Sequence, residues 1–502
     1  MIGRSFIEGD RLMYKVQDQI YKNSPTIDCF DTWAIFRNII SSNIRDGCFN
    51  SYVNEENNST RLPDPSRIQK IRNNYLRKKF KKNCRSLRFQ ESPSCLFLYH
   101  YEDLFKDKLN ETLYNRYKDP YYEFLKEHFS TQRIQVFSYP KSTDNNYYHK
   151  SSIVYDYLFR ESESEILGNI SKKNVEFEIK VKAFLDLILQ VYRDLEIVDR
   201  SISHNQVISY LKEILYWTEF YLVIFRIIQP RSLLSSSYFD SASIYGASAA
   251  CEMLNIPFID IQHGCVTSHF LNWKFKSKSM HRFLPSHYLT WNDFQTRYFE
   301  NQDNQEGYIQ PLTGCHMWLK KFQKRDFPHD FEDTLKGIKN TYKKRILFIH
   351  QFIEHSWNIK GLKELIEMGD SEWLWLYRFH PMYPDEAKEK IYKSFESYTN
   401  VEFETANQCP MYYLFECVNA CVTRYSASGF EVESYGIPMI FVDHAAKHYF
   451  SDLIDDEKFI FCEDISGICN IIRDLNHSPS TPFPLSVLNE QQLLRSVKSI
   501  LQ

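Results

Sequence analysis

The chain lacks the signatures of several large enzyme classes. It contains no Asp-x-Asp triplet, the carboxylate pair with which many enzymes hold a divalent ion on a diphosphate. It also contains neither Gly-x-Gly-x-x-Gly nor Gly-x-x-x-x-Gly-Lys-Ser/Thr, which disfavours dinucleotide oxidoreductases and P-loop enzymes. We therefore expect no metal and no cofactor, so any charge on a leaving group must be met by helix N-termini and side chains.

Signals for secretion, membrane insertion and a disulfide framework are absent too. The 12 cysteines include no Cys-x-x-Cys pair and no cluster with zinc spacing, which favours a reducing compartment. The N-terminus carries charges where a signal peptide needs an apolar core, and the best apolar run, 214–228, is interrupted by Glu219 and Arg226. We expect a cytoplasmic protein, and a net charge of −3 argues against a nucleic-acid partner.

The length and the periodicity predict more than one domain. At 502 residues the chain exceeds the usual limit for a single hydrophobic core. Strand-like and helical segments alternate in two series, which predicts an α/β protein with a parallel sheet in each of two domains. The predicted parts are a helical, basic segment over 1–90, a first domain over 91–320, a linker over 321–344, a second domain over 345–480, and a C-terminal helix over 481–502 that packs back.

Residues 421–442 are the most informative stretch, because they read as strand, polar turn, short helix and strand. The apolar run stops at Arg424, and Ser426, Ser428 and Gly429 then lead into a helix whose first turn carries Glu431. Backbone N–H groups and serine hydroxyls at such a turn suit a diphosphate, and the glutamate suits ribose hydroxyls. An ordinary crossover with a serine N-cap explains the pattern equally well when it is taken alone.

A second element upstream favours the ligand-binding interpretation. Residues 373–379 read as a buried strand that ends in His380 and Pro381. Ligands of open α/β sheets bind at the carboxyl ends of strands, and the proline turns the chain away there. A histidine and a pair of serines at two strand ends of one series form a rare combination.

These elements resemble the donor half of GT-B glycosyltransferases. The similarity covers about 230–450 and is to bacterial sialyl-, polysialyl- and Kdo-transferases and the related polyol-phosphate transferases of capsule and teichoic acid synthesis. The resemblance implies two Rossmann-like domains that face a cleft, a nucleotide-sugar donor, and a glycan or lipid-linked acceptor. It implies that His380 and Pro381 contact donor phosphate or help the leaving group, that Ser426, Ser428 and Gly429 bind phosphate, and that Glu431 binds ribose.

The base that deprotonates the acceptor is predicted separately, because the chain lacks the acidic-acidic-Gly motif that supplies it in several sialyltransferases. His263 ends a first-domain strand in the sequence Gln-His-Gly and is the first candidate. Asp240, in the loop after the strand near 232–237, and Glu354, after the first strand of the second domain, are the reserves. Gln-His-Gly could also merely shape the turn.

Three functions stay open. The first is a glycosyltransferase of surface polysaccharide synthesis, inverting and metal-independent. The second is a CDP-polyol phosphotransferase, and the third is an epimerase or a non-catalytic glycan-binding protein.

A basic segment suggests a contact with a membrane surface. Residues 67–88 hold ten Lys or Arg and no acid. Such a helix either lies on an anionic membrane surface or is simply solvated.

Overall fold

The computed structural model describes a little over half of the chain. The described residues are 92–100, 107–109, 112–137, 152–155, 190, 204–236, 241–264, 284–300, 309–323, 331–351, 359–380, 383–426, 428, 431–432, 435–455, 459–475 and 489–502. They fall into two compact units, a first built from 9–263, 271–318 and 489–502, and a second built chiefly from 319–488.

The first unit is organised around a parallel sheet of seven strands. In sheet order these are β5 (Ser152–Tyr155), β4 (Thr131–Phe137), β1 (Cys95–His100), β6 (Leu233–Ser236), β7 (Phe258–Ile261), β8 (His287–Thr290) and β9 (Gln310–Thr313). A separate antiparallel pair is formed by β2 (Asp107–Leu109) and β3 (Thr112–Tyr114). Apolar strands such as β1 are buried, as expected for parallel strands covered on both faces.

Helices cover this sheet. They are α1 (Asp119–Lys126), α2 (His204–Ile228), α3 (Ala242–Met253), α4 (Asp293–Tyr298) and, at the boundary between the units, α5 (Met317–Gln323). The small residues of α3 let it approach α2 closely, because a Cβ added at Gly246 would lie 2.4 Å from the Cβ of Trp217. Helix α14 (Glu490–Leu501) also belongs to this unit, and its Leu493 and Val497 join the core of β1.

The second unit has a parallel sheet of six strands. In sheet order these are β12 (Val401–Glu402), β11 (Trp373–Arg378), β10 (Lys344–Ile349), β13 (Ala420–Thr423), β14 (Met439–Phe441) and β15 (Ile460–Phe461). Its helices are α6 (Glu332–Thr341), α7 (Lys360–Met368), α8 (Asp385–Phe395), α9 (Glu404–Gln408), α10 (Met411–Phe415), α11 (His444–Tyr449), α12 (Ser451–Asp455) and α13 (Ile465–Asp474).

Both sheets confirm the expectation of two Rossmann-like, parallel-sheet domains. In each sheet the first strand lies in the middle, the next two follow on one side, and the later strands follow on the other side. This is the doubly wound order that binds ligands where the chain reverses direction. The segment predicted as a linker, 321–344, holds helix α6, whose Leu335 is buried.

Candidate functional site

The reversal point of the second sheet lies between β10 and β13. The chain runs from β10 to β11 and β12 on one side, and from β13 to β14 and β15 on the other side. The described residues that follow these two strands therefore flank one crevice at the carboxyl edge; they are 350–351 after β10, and 424–426 and 428 after β13. They meet across it, because the Tyr425 N–H donates to the Gln351 side-chain oxygen at 3.2 Å.

Arg424 is fixed at this crevice by a buried ion pair. Its guanidinium donates to one oxygen of Asp443 from Nε at 2.9 Å and lies 2.7 Å from it through Nη2. Arg424 is 1% exposed and Asp443 6% exposed. The other Asp443 oxygen accepts the Ala445 N–H at 2.8 Å and caps helix α11. Arg424 is thus held in one orientation next to the serine turn.

Ser426 and Ser428 form a hydroxyl pair. Their Oγ atoms are 2.8 Å apart, and Ser426 Oγ also accepts the Ser428 N–H at 3.3 Å. The first helical hydrogen bond after the turn starts at Ser428, because the Val432 N–H donates to the Ser428 carbonyl at 2.9 Å. Two hydroxyls supply two O–H donors and their mutual bond uses one, so the other remains available to a ligand oxygen.

Glu431 lies on the first turn after the serines and is half-buried. One of its carboxylate oxygens accepts a hydrogen bond of 2.6 Å from the hydroxyl of Tyr412, a residue of α10. Carboxylate oxygens are the kind of acceptor that binds ribose hydroxyls. Tyr412 therefore orients the glutamate, and nothing in the local sequence indicates this pairing.

His350, which directly follows β10, is the most unusual residue of the site. It is 1% exposed, and neither ring nitrogen has a hydrogen-bond partner in the described part of the chain. The ring lies edge-on to Tyr383, with centroids 4.4 Å apart, and close to Tyr377. Burial, and then the nearby charges of Arg424 and His380, lower the pKa of His350 to about 3. The ring is therefore neutral at ordinary pH, with one nitrogen a donor and the other an acceptor.

His380 follows β11, the strand beside β10. It is half-buried, and its carbonyl accepts the Tyr383 N–H at 2.9 Å in a turn. Because its charge affects the pKa of His350, the two imidazoles belong to one electrostatic cluster with Arg424. The structure thus places His380 at the same carboxyl edge as the serine turn, after β11, which β10 separates from β13.

His263 lies in the first unit, directly after β7. The buried Gln262 that precedes it accepts the Trp291 N–H at 2.8 Å and donates to Gln295 at 3.0 Å. The Trp291 indole N–H donates to the Gln262 carbonyl at 2.9 Å, which fixes the backbone next to the histidine. His263 itself is half-buried and meets the ring of Tyr117.

Four predicted site residues lie outside the described residues: Asp240, Glu354, Pro381 and Gly429. The basic segment 67–88 lies outside them as well. Three residues that the sequence did not single out, His350, Tyr412 and Asp443, contribute to the site. The sequence could have indicated His350, because it follows an apolar strand of the second series as His380 does.

Within the described ranges, no helix has both the length and the apolar content needed to cross a bilayer.

Comparison with known proteins gives similarity to solved structures only. No family model matches the chain, and no curated protein matches it. S. aureus MnaA with UDP has 9% identity and a TM-score of 0.48, and the match covers 81% of this chain and 95% of that one. UDP-GlcNAc 2-epimerase from Neisseria meningitidis has 12% identity, 81% and 99% coverage and a TM-score of 0.48. The wall teichoic acid polymerase TagF has 12% identity, 86% and 90% coverage and a TM-score of 0.43.

Proposed function

We propose that this protein is a glycosyltransferase that uses a nucleotide-activated donor, such as a CMP-linked sugar. Its acceptor is a surface polysaccharide or a lipid-linked glycan. The observation that carries the proposal is the Ser426–Ser428 hydroxyl pair, which follows Arg424 at the carboxyl edge of the second sheet, the edge at which His380 follows β11. Hydroxyl and imidazole donors at such an edge suit the phosphate of a nucleotide.

The donor groups have distinct roles. The serine hydroxyl that is not used within the pair donates to a phosphate oxygen, and His380 stabilises the charge that develops on the leaving nucleotide. Glu431, oriented by Tyr412, accepts from ribose hydroxyls. Arg424, neutralised by Asp443, contributes its fixed dipole and holds the turn in place. Pro381 and Gly429 keep their predicted roles at the donor phosphate, beside His380 and Ser428.

The transfer step is an inverting displacement. His263 accepts the proton of the acceptor hydroxyl while the hydroxyl oxygen forms a bond to the anomeric carbon. The bond between that carbon and the phosphate oxygen breaks, and its electron pair leaves with the nucleotide. Asp240 and Glu354 are the alternative bases. Since the chain has no Asp-x-Asp pair to hold an ion on the phosphate, turnover should survive excess chelator.

Nucleotide binding tests this proposal. A ligand that binds only the folded state raises the apparent stability, so CMP, CDP, UDP and GDP can be screened by thermal shift. Replacing both Ser426 and Ser428 by Ala should weaken the best ligand about 10- to 150-fold, since the one hydroxyl that donates to the charged phosphate makes a hydrogen bond worth about 1.5–3 kcal/mol. His380→Ala should weaken it as well.

The matched control is Ser394→Ala, which removes a hydroxyl bonded to its own helix on α8. It should leave nucleotide affinity unchanged. Unchanged affinity in folded serine and His380 variants would remove the donor-site assignment. Product analysis then separates the chemistries: transfer of phosphate together with a polyol indicates the phosphotransferase, and consumption of a nucleotide sugar without acceptor indicates the epimerase.

A further inference from the structure

The first sheet has its own reversal point, between β1 and β6, and two aromatic rings meet across it. The turn 115–118, which precedes α1, is anchored at β1, because Lys118 donates to the Leu98 carbonyl at 3.0 Å. His263 follows β7, on the other side of β6. The rings of Tyr117 and His263 nevertheless lie 5.9 Å apart, at 90° to each other. Tyr117 and His263 therefore line the crevice where a doubly wound sheet binds ligands.

The turn that carries Tyr117 is held rigidly. The Asn115 side-chain oxygen accepts the N–H groups of Tyr117 at 3.0 Å and Lys118 at 2.9 Å. The Asn115 N–H donates to Asp119 at 2.7 Å. A short side chain that bonds successive N–H groups in this way fixes the backbone.

A buried ion pair lies beneath this turn. Asp119 accepts from Arg133 at 2.8 Å and from the Tyr99 hydroxyl at 2.7 Å, and Arg133 lies 3.9 Å from the centre of the Tyr99 ring. All three side chains are buried. Because such a network tolerates little displacement, the turn presents its two middle residues in a fixed position.

The two middle residues are Arg116 and Tyr117, and both are half-buried. The Arg116 guanidinium carbon lies 4.9 Å from the centre of the Tyr117 ring, and Nη2 donates to the Tyr117 hydroxyl at 3.0 Å. An aromatic ring packs against the apolar face of a sugar, and a guanidinium pairs with carboxylate or phosphate oxygens. The pair combines both kinds of recognition beside His263.

We propose that Arg116, Tyr117 and His263 form an acceptor subsite for the anionic terminus of a glycan. Arg116 binds the carboxylate or phosphate of the terminal unit, and Tyr117 packs against its ring. Tyr117 also holds the imidazole of His263, so it is a positioning residue. The inference rests on the proposed function in treating His263 as the group that meets the acceptor hydroxyl, and it adds the charge of the acceptor.

Binding of three matched disaccharides, measured by calorimetry without nucleotide, tests the subsite. The probes are cellobiouronic acid, cellobiose 6′-phosphate and neutral cellobiose. Wild-type protein should bind at least one anionic probe about tenfold or more tightly than cellobiose, as expected for charge-assisted hydrogen bonds worth about 1.5–3 kcal/mol. Arg116→Gln should abolish this preference, and Arg116→Lys should restore part of it. The stronger anionic probe identifies carboxylate or phosphate as the group bound.

Two further variants complete the design. Tyr117→Ala should weaken all three probes by a similar factor, because packing against the sugar ring does not depend on its charge. Arg297→Gln, which removes an exposed arginine on α4 of the same unit, should change nothing. Far-ultraviolet circular dichroism checks that each variant is folded.

Equal affinity of wild type and folded Arg116→Gln for the anionic probes overturns the inference. A wild type that binds cellobiose as tightly as the anionic probes, or that binds none of the three, overturns it too. Nucleotide affinity, measured in parallel, reports separately on the proposed function. Loss of the glycan preference with intact nucleotide binding would refute the subsite alone.

Discussion

The buried ion pair between Arg424 and Asp443 permits a prediction that separates charge from helix capping. Asp443→Asn keeps a side-chain oxygen that can cap α11, but it leaves the buried Arg424 without its counter-charge. Removing one partner of a buried pair costs about 3–5 kcal/mol. Asp443→Ala loses the cap as well, which adds about 1 kcal/mol.

The double variant Arg424→Met, Asp443→Asn removes both charges. Apolar replacement of a buried pair is often neutral or stabilising, so we expect it to recover most of the loss of the Asn single variant. The serine turn beside Arg424 should nevertheless lose its fixed orientation. The double variant should therefore be stable and bind nucleotide weakly.

Hydrogen exchange measures the effect in the second unit alone. The Cys421 N–H donates to the Pro438 carbonyl at 2.9 Å, and such amides of β13 exchange only when the strand opens. The Asn variant should lower the opening free energy of these amides by about 3–5 kcal/mol or unfold the unit. Amides of β7 in the first unit are the internal control. A loss of opening free energy below about 1 kcal/mol in Asp443→Asn would refute the reasoning. So would a double variant whose loss equals the sum of the losses in Arg424→Met and Asp443→Asn measured separately.

Two other predictions concern pH and the basic segment. His350 protonates near pH 6.5 when unfolded but only near pH 3 when folded, so the stability of the second unit should fall by up to ~1.4 kcal/mol per pH unit as pH falls from 6.5 towards 3. His350→Gln should remove that part of the dependence of stability on pH. A variant whose stability changes with pH as the wild type's does would contradict the assignment to His350. Replacing Lys78, Lys79, Lys81 and Lys82 by Gln should release the protein from anionic vesicles without changing turnover on a short soluble acceptor, since each surface charge contributes on the order of 1 kcal/mol. Equal vesicle binding by the wild type and the quadruple variant would indicate that the basic segment 67–88 is simply solvated.

The long apolar strands and their order along the chain could be predicted from sequence. Residues 373–379 are apolar except for Arg378, and the structure places β11 at Trp373–Arg378 with His380 just beyond it. The segment 321–344 is predicted as a linker because it is charged and holds one proline, and among the described residues of α6 Leu335 alone is buried. The two-residue strand β15 is too short to leave a periodic signal.

The polar partners within the site could not be predicted, because they depend on which strands are neighbours. Arg424 and Asp443 are 19 residues apart and meet only because β13 pairs with β14. His350 lies near Arg424 because β10 pairs with β13, with Ile349 opposite Thr423. The Tyr412–Glu431 bond likewise joins α10 to the serine turn. A residue type at a strand end indicates where a site lies, whereas its partners follow from the strand order.

Helix α14 affects the order in which the protein folds during synthesis. Its Leu493 and Val497 belong to the core of the first sheet, and Ser496 donates to the Thr313 carbonyl at 2.6 Å, yet the ribosome makes these residues after the whole second unit. The first unit therefore cannot complete its core when its own strands emerge. The apolar surface that Leu493 and Val497 cover near β1 stays uncovered by them while about 170 further residues are translated at about 5–20 per second. The described core of the second unit includes no residue of α14, so the second unit is free to fold first.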